Sequence, residues 1–311
     1  MTSAFIFSDD TILCHQTSDG WWPLPVQYSK SDVDLNNDAY PQAYQIGHVA
    51  LLESLALIHW QTTASTDHSD VDIRPTFTAQ ASSAMSYDYA VAHHVALPPV
   101  NESSGNTFVP YRQLILQLPV ALSNQLSQAI QLLRWQTDTR FCSRCATPVI
   151  HARNAERAMV CPACQLHQYP RVQPCIITAI TRPNPQTGET QILLAHHHRH
   201  GQQKQPPLYG LIAGFVEVGE SLEHAVVREV AEEVNITLTD IRYISSQPWP
   251  FPTNLMLGFR ATYAGGDIII QEDELAHADF FDLSNLPKIP SKGSIAYELI
   301  AQILTEQGFE A

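Results

Sequence analysis

The sequence has little that would suit it to a membrane or to a strong grip on nucleic acid. None of its apolar runs approaches the ~20 residues that a membrane-spanning helix needs. Basic residues are scarce, with 17 Lys and Arg against 31 Asp and Glu in 311 residues, and the formal net charge is −14. A chain of this charge lacks the basic stripe of a nucleic-acid binder. We therefore expect a soluble globular protein without a membrane partner.

A secretory signal is also missing, because the N-terminal segment carries acids where a signal peptide would carry Lys or Arg. This favours a cytoplasmic location. Cysteine is scarce as well: the chain has six, and four of them form two C-x-x-C pairs. In a reducing compartment, paired cysteines of this kind indicate a metal site rather than disulfides.

The two cysteine pairs have the spacing of a four-cysteine zinc ribbon. Cys142 and Cys145 are followed, after fifteen residues, by Cys161 and Cys164. Four thiolates fill a tetrahedral shell and leave no position for water, so we expect one structural zinc per chain. The alternative is that one pair is redox-active or that the cysteines are merely buried.

Changes in composition divide the chain into three predicted domains, which together make an α+β protein. Residues 1–140 show short apolar runs between turn signals and predict a mostly β domain that ends in a helix. The zinc ribbon follows at 141–170, and a third domain spans 171–311. The predicted helix begins near Pro119, with Ser123 and Asn124 as candidate caps. The runs CIITAI and QILLA flank a turn and predict a hairpin at the start of the third domain.

A strongly acidic helix is predicted after a glycine-containing turn in the third domain. Ser221 is its candidate N-cap, and Asn235 stands where a left-handed residue would end it. At 100° per residue, one face carries carboxylates and the adjacent face is apolar. The carboxylates are Glu229, Glu232 and Glu233, and the apolar positions are Val226, Val227, Val230, Ala231 and Val234.

The three glutamates have no nearby counter-ions of the usual kind, since no Lys occurs between Lys204 and Lys288. A bound divalent cation would offset their repulsion, and oxygen ligands favour Mg²⁺ or Mn²⁺. The alternative is that the helix is simply exposed, because exposed helices commonly carry Glu.

The segment from Gly214 to Ile236 resembles the Nudix box, G-x5-E-x7-R-E-U-x-E-E-x-G-U, where U is bulky and apolar. Asn235 replaces the terminal glycine, which its capacity for the left-handed conformation makes tolerable. The matching positions are Gly214, Glu220, Arg228, Glu229, Val230, Glu232, Glu233 and Ile236.

This resemblance implies a Nudix α/β/α sandwich that hydrolyses a nucleoside diphosphate linked to another group. It implies catalytic roles for Arg228, Glu229, Glu232 and Glu233, with Arg228 orienting the carboxylates. It further implies that Glu229, Glu233, Glu274 and the backbone carbonyl of Ala213 hold the catalytic Mg²⁺ or Mn²⁺. Without the resemblance, Glu274 would be an ordinary member of a surface acidic run at 272–274.

Downstream of the helix, the segment SQPWPFPTN alternates prolines with Trp249 and Phe251. Proline fixes an extended, stiff backbone, which would present the aromatic faces for stacking a planar base. Taken alone, these residues are equally consistent with an ordinary proline-rich loop whose aromatic side chains are buried.

After a Nudix box, this segment resembles SQPWPFPxS, the signature of the NADH pyrophosphatase family, whose members also carry a zinc ribbon before the Nudix domain. The resemblance is close over residues 140–311, and Asn254 replaces the closing serine. It implies a set of residues that contact the substrate. These are Glu156, Tyr169, Gln247, Pro248, Trp249, Pro250, Phe251, Pro252, Thr253, Asn254 and Ala296.

The resemblance implies hydrolysis of the pyrophosphate of NADH or NAD to AMP and nicotinamide mononucleotide by a homodimer, and removal of NAD caps from RNA 5′ ends as the same reaction on a longer substrate. Two alternatives stay open. One is a Nudix hydrolase of another dinucleotide such as ADP-ribose, and the other is a non-catalytic nucleotide sensor. His196, His197, His198 and His200 close the QILLA run, and we assign them no ligand role.

Overall fold

The computed structural model describes residues 2–8, 10–17, 20–24, 26–28, 49–53, 90–91, 105–152, 157–198 and 206–310. The chain divides into two compact units, Met1–Arg171 and Val172–Ala311. Over the described residues, no helix combines the length and hydropathy that crossing a membrane requires.

The first unit contains, in its described part, a seven-stranded sheet with two helices after it. The strands pair antiparallel, and β2 has hydrogen-bonded pairs with three of them, β1, β3 and β7. This confirms the expected β-rich start of the chain. The strands are β1 (Thr2–Ser8), β2 (Thr11–Thr17), β3 (Gly20–Pro23), β4 (Val26–Tyr28), β5 (Val49–Glu53), β6 (Ala90–Val91) and β7 (Asn106–Pro110), and the helices are α1 (Tyr111–Leu114) and α2 (Val120–Asp138).

The predicted helix exists, but the predicted caps were wrong. Helix α2 begins at Val120 with Pro119 as its N-cap, and no side chain caps it. Ser123 lies in the first turn instead, where its hydroxyl donates to the carbonyl of Ile115 at 3.1 Å. Its own carbonyl accepts from the buried hydroxyl of Tyr111. The serine therefore ties the helix to the preceding turn rather than starting it.

The ribbon in the same unit has a three-stranded antiparallel sheet made of β8 (Ile150–His151), β9 (Met159–Val160) and β10 (His167–Gln168). So short a segment cannot build a core of its own. It shares one with the end of α2, where Leu132 and Trp135 pack against Val149, Met159 and the two buried cysteines.

The second unit contains a six-stranded mixed sheet with a helix on each face. The strand order is β14-β15-β11-β12-β16, and β13 also pairs with β11. Strands β11 and β12 form the predicted antiparallel hairpin, whereas β11 and β15 run parallel. The strands are β11 (Gln173–Pro183), β12 (Thr190–His197), β13 (Ile212–Phe215), β14 (Thr237–Trp249), β15 (Asn254–Gly265) and β16 (Leu275–Asp282), and the helices are α3 (Leu222–Val234) and α4 (Ile295–Glu306).

Alternation along β11 explains why both faces of this sheet are covered. Ile176 and Ile180 point to the face where α3 packs, while Ile177 and Ala179 point to the face where α4 packs. Successive residues of a strand face opposite sides, so a strand with apolar residues at both sets of positions requires burial on both faces. The second unit is therefore the α/β/α sandwich that the Nudix resemblance implied.

Candidate active site and metal centre

The two cysteine knuckles of the ribbon have the same local geometry, nineteen residues apart. In the first, the backbone N–H of Ala146 donates to the carbonyl of Cys142 at 2.9 Å, and in the second Gln165 donates to Cys161 at 3.0 Å. Ala146 and Gln165 both have φ of 57°. In each knuckle a backbone N–H also approaches the first sulfur at 3.4 Å.

The four sulfurs converge as ligands of one ion would. Their Sγ atoms all lie within 4.8 Å of one another. The Cys142–Cys164 and Cys145–Cys161 separations are both 3.5 Å. A regular tetrahedron with Zn–S bonds of about 2.3 Å has edges of about 3.8 Å. The thiols therefore fit a closed structural zinc site, which leaves no open position for catalysis.

The acidic helix begins and ends as its sequence predicts. The Ser221 hydroxyl accepts from the backbone N–H of His224 at 3.2 Å, and Asn235 ends the helix with φ 59° and ψ 31°. The apolar face is narrower than predicted, because Val227 and Ala231 are exposed. The residues that face the sheet are Ala225, Val226, Val230 and Val234.

Arg228 organises the carboxylates around its guanidinium group. Its Nε and Nη2 donate to the two carboxylate oxygens of Glu220 at 2.8 and 2.9 Å. Its Nη1 donates to Glu229 at 3.0 Å and to Glu232 at 2.9 Å, and Nη2 also donates to the carbonyl of Phe215 at 2.8 Å. Planar guanidinium groups hold such forked contacts in fixed positions. Sequence reasoning missed Glu220 as the main partner of Arg228, because Glu220 precedes the helix and helical spacing says nothing about it.

Glu229 occupies space that a side chain at position 214 would fill. A Cβ atom built on Gly214 would lie 1.9 Å from the Glu229 Cδ and about as close to both carboxylate oxygens. Glycine therefore lets this carboxylate pack directly against β13, the strand that carries Ala213. Burial raises the pKa of Glu229, and the charges of Glu232 and Glu274 raise it further, against the lowering effect of Arg228.

Glu233 and Glu274 are the other two predicted side-chain ligands of the divalent cation. Glu233 is buried, at 1% exposure, and its backbone carbonyl accepts from the N–H of Gln271 at 2.9 Å. Glu274 is exposed, and its negative charge raises the pKa of Glu229. Carboxylate and carbonyl oxygens are the ligands that hard divalent cations prefer.

The aromatic segment is only partly extended, which corrects the sequence prediction. Strand β14 continues through Pro248 and Trp249, but residues 250–253 form a turn into β15, which begins at Asn254 opposite Trp249. The rings of Trp249 and Phe251 pack edge to face, with centroids 5.3 Å apart. The two aromatic rings are therefore in contact at this turn.

Two of the remaining residues that were predicted to contact substrate, Gln247 and Thr253, form hydrogen bonds within the protein, and a third, Ala296, lies beside one of these bonds. The Gln247 side chain donates to the carbonyl of Gly293 and accepts from the N–H of Ile295, both at 2.8 Å, and so pins the start of α4 beside Ala296. The Thr253 hydroxyl donates to the Gln173 side chain at 3.2 Å.

Asn254 is buried, and its side-chain oxygen has no hydrogen-bond partner among the described residues. Tyr169 lies in the first unit at 51% exposure. Glu156 and His200 lie outside the described residues.

Sequence comparison supports both the zinc ribbon and the Nudix domain. Residues 176–303 match the sequence model of the NUDIX domain, and residues 138–169 match that of the NADH pyrophosphatase zinc ribbon domain. Curated relatives named NAD-capped RNA hydrolase NudC are similar over much of the chain.

Three such relatives illustrate the extent of the similarity. The one from Pseudomonas aeruginosa is 44% identical over 64% of this chain and 68% of its own. That from Klebsiella pneumoniae is 44% identical over 61% and 69%, and that from Pasteurella multocida is 43% identical over 64% and 72%.

The fold and the Nudix box make this chain a Nudix protein. With its ribbon and its similarity to these relatives, it belongs to the NADH pyrophosphatase family of Nudix hydrolases.

Proposed function

We propose that the protein is a metal-dependent hydrolase that cleaves the pyrophosphate bond of NADH and NAD to AMP and nicotinamide mononucleotide. The observation that carries this proposal is the pair of carboxylates of Glu229 and Glu232, which Arg228 holds, with Glu229 packed against Gly214 of β13. The carboxylate set is complete, which argues against a non-catalytic sensor, since a protein without turnover has no need of it.

Glu229, Glu233, Glu274 and the carbonyl of Ala213 would hold the catalytic Mg²⁺ or Mn²⁺. Such ions offset phosphate charge, orient the attacking water and stabilise the leaving phosphate. The protein's own part is to keep these oxygens in place before the substrate arrives. Arg228 does so for Glu229 and Glu232, so that little reorganisation is needed during the reaction.

The proton of the attacking water goes to a carboxylate oxygen of the cluster or of Glu274. A carboxylate that burial has made more basic accepts a proton more readily than one in free solution. The raised pKa of Glu229 is consistent with this chemistry.

The turn between β14 and β15 is the proposed binding site for the planar part of the substrate, with Trp249 and Phe251 as stacking surfaces. The other proposed contacts are Glu156, Tyr169, Gln247, Pro248, Pro250, Pro252, Thr253, Asn254 and Ala296. The buried oxygen of Asn254 supports this placement, because a buried acceptor without a partner is costly and an N–H group of a ligand would satisfy it.

We further propose that NAD-capped RNA is a substrate, since the cap presents the same pyrophosphate bond and the curated relatives are named for that reaction. A homodimer and a cytoplasmic location complete the proposal. Light scattering on the purified protein tests the first, and fractionation of cells that produce it tests the second.

One experiment tests the central proposal. Purified protein with Mg²⁺ or Mn²⁺ is incubated separately with NADH, NAD, ADP-ribose and NAD-capped RNA, and the products are separated. We expect AMP and the reduced or oxidised mononucleotide from the first two substrates, and RNA with a 5′ monophosphate from the last. Faster cleavage of ADP-ribose than of NADH would favour a hydrolase of another dinucleotide, and binding without cleavage would favour a sensor.

A further inference from the structure

The turn that carries Glu274 is tied to the acidic helix. Within residues 271–275, the N–H groups of Glu274 and Leu275 donate to the carbonyl of Gln271 at 3.0 and 2.8 Å. The N–H of Gln271 donates in turn to the carbonyl of Glu233 at 2.9 Å. One end of the turn is therefore fixed to the last turn of α3.

The other end of the turn enters an irregular part of the β12–β16 ladder. His196 pairs with His277, but the next residue, His197, pairs with Leu275. Ala276 is thus an extra residue, and the register shifts there. Bulges of this kind re-aim the residues beside them and are common next to active sites. The position of the Glu274 side chain therefore depends on the contacts that hold the 271–275 turn beside the bulge.

His198 is the residue that holds it. Its backbone N–H donates to the carbonyl of Glu274 at 2.9 Å, and its ring Nε2 lies 3.1 Å from the carbonyl of Glu272. A carbonyl can only accept, so the ring nitrogen donates. Both the imidazolium and the neutral tautomer with hydrogen on Nε2 can make this bond. One residue therefore fixes the two carbonyls that flank Asp273.

We propose that His198 is a positioning residue, whose ring bond to Glu272 orients the 271–275 turn so that the Glu274 carboxylate can reach the divalent cation. This inference rests on the proposed function, in which Glu274 is a metal ligand. The backbone N–H of residue 198 is kept by every substitution except proline, so removing the ring should loosen the turn without unfolding the sheet.

The test measures Mn²⁺ binding to the purified, zinc-loaded protein from the paramagnetic resonance signal of free Mn²⁺. His198→Ala should raise the Kd by about three- to tenfold, the range expected for one lost hydrogen bond. His198→Gln keeps an amide donor near the Nε2 position and should stay within about twofold of wild type. Glu274→Gln should also weaken binding, whereas the neighbouring Asp273→Asn, which removes the same charge, should change it little.

A double variant separates positioning from a direct role. If His198 acts through Glu274, then His198→Ala in the Glu274→Gln background should weaken Mn²⁺ binding no further. Additional weakening there overturns the proposal, as does an unchanged Kd in His198→Ala or a failure of His198→Gln to restore it. An unchanged Kd in Glu274→Gln overturns the ligand role of Glu274 together with this inference. Absence of NADH cleavage alongside the expected Mn²⁺ pattern counts against the proposed function alone.

Discussion

At the scale of single residues, Arg228 has the largest set of interactions in the site. The bonds from its guanidinium, together with the N–H of Glu217, lower the pKa of the Glu220 carboxyl from 4.5 to about 2. Glu220 is not one of the proposed metal ligands, yet it shares Arg228 with Glu229 and Glu232. Its charge therefore helps to hold Arg228 where it contacts those two carboxylates.

The low pKa of Glu220 predicts a pH-dependent contribution to stability. Because the folded-state value lies below the unfolded one, the contribution is complete above about pH 4.5 and is lost as the pH falls towards 2. We expect Glu220→Gln to be less stable than wild type to urea at about pH 6, and this difference to shrink by about pH 3.5. Acid also releases zinc from both proteins, so the measured quantity is the difference in unfolding free energy between Glu220→Gln and wild type. A difference that is constant with pH contradicts the assigned ionic role.

Glu233 provides a second prediction at this scale. Glu233→Gln retains the size of a buried side chain but removes one carboxylate from the cluster, so we expect the fold to persist and kcat/KM for NADH to fall roughly a hundredfold or more. The measurement is turnover with saturating Mg²⁺ or Mn²⁺, accompanied by circular dichroism. Glu223→Gln, at an exposed position in the first turn of the same helix, is the matched control. Turnover like that of wild type would remove Glu233 from the mechanism.

Local sequence signals predicted the ends of α3 correctly, because capping by Ser221 and a left-handed Asn235 depend only on residues nearby in the chain. They failed for α2, where Ser123 bonds to the carbonyl of Ile115 in the preceding turn. They were also silent about His198, whose partners lie more than seventy residues away. Contacts of that range are set by strand pairing, which spacing within one segment does not reveal.

At the scale of elements, we predict that the ribbon needs bound zinc to stay folded. We expect about one tightly bound zinc per chain, and Cys142→Ser should release it and destabilise the segment that packs on Leu132 and Trp135, because a small element has little core of its own. Metal analysis and limited proteolysis measure the two effects. Cys175→Ala, which changes a cysteine outside the four, should keep its zinc. Well-folded wild-type protein without zinc would refute the prediction.

The turn between β14 and β15 predicts a change in specificity. Trp249→Ala removes a stacking surface, so kcat/KM should fall about five- to a hundredfold more for NADH than for a small pyrophosphate substrate. Trp249→Phe retains an aromatic ring against Phe251 and should lose less. Equal losses on both substrates would mean that the turn only supports the fold, and the assignment would revert to a Nudix hydrolase of unspecified substrate.

Element prediction worked for the β11–β12 hairpin, where two short β-rich runs flank a turn, and the Nudix resemblance implied the sandwich. It failed for residues 250–253, because proline fixes φ equally well in an extended strand and in a turn. The pairing of Trp249 with Asn254 decides between them, and that pairing is a property of two strands rather than of one segment.

At the scale of the whole molecule, a net charge of −14 limits how RNA can be bound. A protein that neutralises 6–10 phosphates loses about 10³–10⁵ in affinity when salt rises from about 50 to 200 mM. We expect the KM for NAD-capped RNA to change by less than about tenfold over that range, because recognition should rest on the cap. Parallel measurements with NADH give the baseline. A steep salt dependence for RNA alone would reveal an extended basic path along the protein.

The three-part division at residues 140 and 170 stays a prediction. The structure separates two units after Arg171, and in the first of these the ribbon shares its core with α2. A change in composition is thus a poor guide to where an independent unit begins, because the ribbon packs its apolar residues against the helix before it.

The close approach of Glu229 to Gly214 has a practical consequence. A glutamate-to-glutamine substitution removes a charge from the site and leaves the size of the side chain unchanged, so it tests the charge alone. A single methyl group at position 214 would displace the Glu229 carboxylate while every ionisable group remained. Gly214→Ala would therefore yield a protein of native charge with a misplaced ligand, suited to capturing uncleaved substrates from a mixture.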